Sequence, residues 1–138
     1  MNILVLCTGN SCRSQIAEGY IRHFANGHCN VFSAGIETHG LNPLAVKVMA
    51  EDGVDISKHR STSIDAYDGI AFEYIITVCD HARESCPWLK AKILNLHYSF
   101  PDPAKATGTP EEILQEFRIV RDEIKIYCEH FAKKYVTG

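Results

Sequence analysis

Asn2-Ile3-Leu4-Val5-Leu6-Cys7-Thr8-Gly9-Asn10-Ser11-Cys12-Arg13-Ser14 joins a continuous apolar run to small and polar residues that end on an arginine and a serine. The run from Asn2 to Cys7 has the pattern of a strand buried in a parallel sheet. Arg13 to Ala25 carries Ile16, Ala17, Tyr20, Ile21 and Phe24 at helical spacing, and Asn26-Gly27 supplies the stop. A loop between such a strand and such a helix aims its backbone N–H groups inward, over the positive end of the helix dipole. Gly9 is read as allowing the tight curvature. Arg13 offers a planar fork of donors that matches a tetrahedral oxyanion in bidentate fashion. The same field is expected to hold Cys7 as a thiolate, since cysteines at helix N-termini fall to roughly 3.5–7.5 in pKa. Nucleophile and anion cradle (Thr8, Gly9, Asn10, Ser11, Cys12, Arg13, Ser14) are one object in this reading. The bland alternative is a buried strand-end cysteine followed by a turn.

Outward from this stretch, strands and helices alternate. Asn30 to Ser33 reads as a second strand, and Asn42-Pro43 as an N-cap with proline at the first helical position, opening a helix to about Asp52-Gly53. A short helix is expected near Ser63 to Ile70. Tyr74 to Cys79 and Lys92 to Leu96 read as a third and a fourth strand. Thr109-Pro110-Glu111-Glu112 is a capping box, and behind it Ile113, Phe117, Val120, Ile124, Tyr127 and Phe131 mark one face of a long final helix. This order implies an α/β fold: a small three-layer domain, 1–138, with a four-stranded parallel sheet flanked by helices. Ligands in such sheets sit beyond the carboxyl ends of the strands.

Composition narrows the function. The 138 residues fit one domain, and 46% hydrophobic with 22% charged is an ordinary soluble balance. Lys and Arg total 14 against 17 Asp and Glu, a net charge of −3 that argues against a general nucleic-acid binder. The apolar runs are far shorter than the ~20 residues of a membrane span. The chain enters its first strand without a basic leader, so a cytoplasmic location is expected. In a reducing compartment the six cysteines are poor candidates for structural disulfides. None forms a C-x-x-C pair, which leaves little for structural zinc.

Two further segments carry chemistry. Asp102 stands between Pro101 and Pro103 on a stiff loop after the fourth strand, placed for a general acid, or for a turn with no chemistry. Cys79 and Cys86 are either core residues or redox partners. Were Asp80 to Ser85 regular helix, the two would be separated by roughly 10 Å of rise. A disulfide needs Cα atoms within about 7 Å, so bridging them requires that segment to unwind. Cys12 is given no catalytic role, Cys29 reads as a bystander and Cys128 as core. Of the histidines only His39 and His59 are weighed, and both read more readily as structural or solvated than as ligands.

The residues together resemble a known family. Cys7 to Arg13 followed by Ser14 is similar to the signature loop of the low-molecular-weight protein tyrosine phosphatase fold. The string Cys7 to Gln15 with Ala17-Glu18-Gly19 is closer to its arsenate reductase branch. Ser33 to Gly40 with Asn42-Pro43, Cys79 and Cys86, Asp102-Pro103-Ala104, and Arg118 to Lys125 extend the resemblance along nearly the whole chain. It implies that Cys7 attacks arsenate, that Asp102 protonates the departing hydroxide, and that Cys79 and then Cys86 carry a disulfide outward to a thioredoxin-type donor. It also implies potassium bound by Asn10, Glu18 and Ser33, although the fourth family ligand, an aspartate, is here Thr62. No other cofactor is required, and the chain is expected to act as a monomer. Two rivals stand beside this reading: a phosphotyrosine phosphatase using Cys7 and Asp102, and an anion-binding module without turnover.

Overall fold

The computed structural model describes residues 1–86 and 88–138. Four parallel strands, β1 (Asn2–Cys7), β2 (Asn30–Gly35), β3 (Tyr74–Thr77) and β4 (Leu94–His97), form one sheet in the order β2-β1-β3-β4. β1 is central, with Cys7 opposite Gly35 on one side and Leu6 opposite Thr77 on the other. The chain leaves β1 toward β2 and later returns to the opposite side for β3. The gap between the carboxyl ends of β1 and β3 is therefore the switch point, where ligands of such sheets bind.

Three helices, α1 (Arg13–Ala25), α2 (Pro43–Glu51) and α4 (Pro110–Phe131), pack together on one face. Tyr74 of β3 meets Phe131 of α4 edge to face on that side. The other face carries a 3₁₀ turn at Ile64–Tyr67 and the short helix α3 (Asp80–Ser85). Phe32 of β2 packs there against Tyr67 and Phe72. Three layers follow, as the alternation of elements requires.

Several boundaries differ from the sequence reading for identifiable reasons. β3 stops at Thr77, and Cys79 is the N-cap of α3 rather than a strand residue. β4 runs to His97 because its ladder with β3 continues one residue past Leu96. The segment around Ser63 tightens into a 3₁₀ turn started by the Ser63 hydroxyl, which accepts from Asp65 N. On α4, Leu114 and Cys128 are buried where Ile113 and Tyr127 are half-buried, a rotation of the apolar stripe by one residue. No helix among the described residues is long and apolar enough to cross a membrane.

Candidate active site

The loop after β1 is held open by its neighbours. The carbonyls of Cys7, Thr8, Gly9 and Ser11 accept from the N–H groups of Ile36, Glu37, His39 and Asn42. With the carbonyls turned outward, none of the amides from Thr8 to Cys12 donates to a protein oxygen among the described residues. No side chain caps α1 either, so its first N–H groups also face the loop. The cradle thus consists of backbone donors over a helix N-terminus, the arrangement that favours an anion.

The curvature has a different source from the one expected. Asn10 takes the left-handed conformation, φ 49°, and its side chain stabilises the bend. Its Nδ2 donates to Ser14 Oγ at 2.8 Å, and its Oδ1 accepts from Thr62 N at 2.8 Å. Gly9 is needed for room instead: a Cβ there would collide with the His39 ring. Gly35 is similarly confined, since a Cβ would come within 2.8 Å of Asn10 N.

A cavity of about 320 Å³ opens over this loop, lined by Cys7, Arg13, His39, Asp102 and Lys105 among others. Arg13 Nη2 lies 3.6 Å from Asp102 Oδ2, and its Nη1 donates to Phe100 O at 3.1 Å. Asp102 in turn caps the turn at Pro103–Lys105, accepting from Ala104 N. The motifs at Cys7–Arg13 and at Asp102–Lys105, distant in sequence, therefore meet in one pocket. Cys12 is buried, which pushes its thiol up to about 12 and leaves it protonated.

The electrostatics of Cys7 are tied to those of Cys79. The Thr8 hydroxyl, on the residue after Cys7, is 3.3 Å from Cys79 Sγ, and the two thiols are electrostatically coupled. Interactions with Cys7 and with the Thr8 hydroxyl lower Cys79 to about 5. The interaction with Cys79 and burial together raise Cys7. Arg13 favours the anion on either sulfur. Cys7 and Cys79 therefore titrate as a coupled pair that shares one negative charge.

Cys86 is not in this pocket. It caps the carboxyl end of α3 and lines a separate cleft of about 450 Å³ with Asp65, Tyr67, Phe72 and Trp88. Burial raises its thiol above the ordinary value. All six cysteines are free, and the helix between Cys79 and Cys86 is formed, as the geometric condition anticipates. Cys128 is fully buried and Cys29 half-buried, away from the site.

Asn10, Glu18 and Ser33 do converge beside the loop. Asn10 Nδ2 donates to Ser33 Oγ at 3.0 Å, and Ser33 Oγ donates to Glu18 Oε1 at 2.6 Å. The oxygens that would hold potassium are engaged, however. Glu18 Oε2 pairs with Arg22 at 2.8 Å and faces His59 at 3.4 Å, and Asn10 Oδ1 also accepts from Gln15. A guanidinium already supplies the positive charge, and Thr62 offers Asn10 its backbone N–H rather than a carboxylate. As they stand, these residues do not fit the ion.

The sequence reading passed over two contributors: the Thr8 hydroxyl as partner of Cys79, and Lys105 at the cavity rim.

Comparison with known proteins agrees with this geometry. The low molecular weight phosphotyrosine protein phosphatase family matches residues 2–137. An arsenate reductase of Bacillus licheniformis is 48% identical over 131 residues, covering 95% of this chain and 94% of its own. An arsenate reductase of Halalkalibacterium halodurans is 47% identical with the same coverage. A solved arsenate reductase in the phosphate binding state superposes with a TM-score of 0.83 at 28% identity, covering 96% of this chain and 97% of that one. The chain belongs to the low molecular weight phosphotyrosine protein phosphatase family, and its close relatives in that family are named arsenate reductases.

Proposed function

We propose that this protein is a cytoplasmic arsenate reductase that passes a disulfide from Cys7 through Cys79 to Cys86 and is reduced by a thioredoxin. The observation that carries the reading is the placement of Cys79. A second thiol, already inclined to ionise, is held by Thr8 against the nucleophile, and a third waits at the far end of a short exposed helix. A phosphatase needs neither. The names of the relatives support the same activity.

Each step follows from a placed residue. Oxyanion enters the loop amides and the Arg13 fork, and Cys7 passes its proton to Cys79 as it attacks. The Cys7 sulfur–arsenic bond forms while one arsenic–oxygen bond breaks, and Asp102 supplies the proton with which that oxygen leaves as water. Cys79 then attacks the Cys7 sulfur, its proton passing to an oxygen of the departing arsenic group. The electron pair of the sulfur–arsenic bond goes to arsenic, which departs as arsenite. Cys86 attacks Cys79, forming Cys79–Cys86 and freeing Cys7 as a thiolate. An external dithiol reduces the final disulfide.

The cavity suits a small free oxyanion. Its rim carries Lys105 and His39, and no Phe, Tyr or Trp lines it among the described residues. Phosphate esters share the tetrahedral shape and charge, so weak phosphatase activity accompanies the reductase. We further propose that the enzyme works as a monomer without a resident cofactor, because Arg22 balances Glu18 where potassium would otherwise serve.

The test is arsenate-dependent NADPH oxidation coupled through thioredoxin and its reductase. The wild type should turn over repeatedly, and Cys79→Ser should not. Hydrolysis of p-nitrophenyl phosphate by a wild type that oxidises no NADPH would instead assign the protein to the phosphatases.

A further inference from the structure

α3 has little to hold it. It has six residues, of which only Ala82 is buried, and is far below the ~12–15 residues at which an isolated helix becomes even marginal in water. Two of its side-chain contacts, Arg83 to Asp80 at 3.9 Å and Ser85 to His81 at 3.4 Å, are internal. Its first residue has a partner outside the helix. Asp80 Oδ1 lies 2.9 Å from His97 Nε2, the one side-chain bond from α3 to the sheet among the described residues.

His97 is itself fixed. It is the last residue of β4 and pairs in register with Thr77, whose Oγ1 lies 2.7 Å from His97 Nδ1. The Asp80 carboxylate only accepts, so His97 Nε2 donates the hydrogen bond between them. The ring is mostly covered, with 21% of the side chain exposed, whereas Asp80 is 60% exposed. Thr77, Val78, Cys79 and Asp80 are consecutive, so the His97 bridge closes a loop of chain that contains Cys79.

We infer that His97 is a positioning residue for the thiol relay, pinning the start of α3 to the sheet so that Cys79 stays against Cys7 while the helix unwinds from its other end and delivers Cys86. This inference rests on the reductase reading and adds to it a direction of unwinding. The exchange it serves is balanced: the Cys86 thiolate forms a bond to Cys79 sulfur, the Cys7–Cys79 bond breaks, and Cys7 leaves as a thiolate with no net change in electrons. Were the start of α3 loose, Cys79 could leave its contact with Thr8 before either of its two reactions.

The experiment uses the Cys86→Ser background, where one turnover stops at the Cys7–Cys79 disulfide. Adding His97→Ala should slow formation of that disulfide on arsenate about 10- to 100-fold, the range for loss of a hydrogen bond to a charged group. Hydrolysis of p-nitrophenyl phosphate should stay unchanged, which also shows that the variant is folded. His97→Gln, which keeps a donor toward Asp80, should recover most of the rate, and Asp80→Ala should add little to His97→Ala. An unchanged rate in His97→Ala overturns the inference, as does an equal fall in phosphatase activity, which marks a merely structural role. A wild type that forms no Cys79–Cys86 disulfide on arsenate overturns the relay itself, and this inference with it.

Discussion

Two sulfurs, not one, carry the charge of this active site, and the Thr8 hydroxyl helps decide where it rests. With Cys79 lowered to about 5 by its coupling to Cys7, the pair loses its first proton below the ordinary thiol range and regains it as the pH falls toward about 5. Alkylation of Cys79 by iodoacetamide should therefore stay fast at pH 6 to 7 and drop off near pH 5. Thr8→Val removes a donor to the anion and should move that inflection upward by about 1 to 2 units. An inflection that stays in place would mean that Cys7 and Arg13 suffice. Cys7, Arg13 and Asp102 could be found in the sequence because each stands in a short motif with its own chemical reason. The division of charge could not, since Thr8 and Cys79 are 71 residues apart and only the fold sets their distance. The Asn10 bend was missed for a related reason. A glycine in a loop suggests curvature, whereas Gly9 in fact answers a contact with His39, thirty residues away.

At the scale of elements, local signals gave good boundaries wherever the chain states its own caps. α1 runs from Arg13 to Ala25 as its spacing and Asn26-Gly27 indicate, and the capping box at Thr109 is present with both of its hydrogen bonds. Thr109→Ala should lower stability by about 1 kcal/mol. Thermal unfolding would read this as a modest fall in Tm with the arsenate KM unchanged, because Thr109 does not line the oxyanion cavity. A rise in KM would show that α4, which packs on α1, sets the loop geometry as well. The ends of β3 and β4 were less legible, since both depend on pairing across the sheet. α3 combines the two cases. Its polar residues mark it as weak from sequence alone, but the bridge from Asp80 to His97 depends on strand register and appears only in the fold.

For the whole molecule, the order β2-β1-β3-β4 brings the chemistry together. The switch point places the loop after β1 beside the turn after β3, and the loop after β4 brings Asp102 to the same edge. Alternation of strands and helices was enough to expect this edge. The second cleft was not foreseeable, because it is built from the turn at Ile64–Tyr67 and the segment beyond α3. Cys86 sits there, a helix length from Cys79, so the enzyme must change shape once in every cycle. The central claim is that the three thiols act in sequence, and disulfide mapping by peptide mass spectrometry after a single arsenate turnover tests it most directly. Wild type should yield the Cys79–Cys86 disulfide and Cys86→Ser the Cys7–Cys79 disulfide. Arsenite formed by Cys86→Ser over many turnovers with thioredoxin as sole donor, or a wild type left without a Cys79–Cys86 bond, would contradict the account.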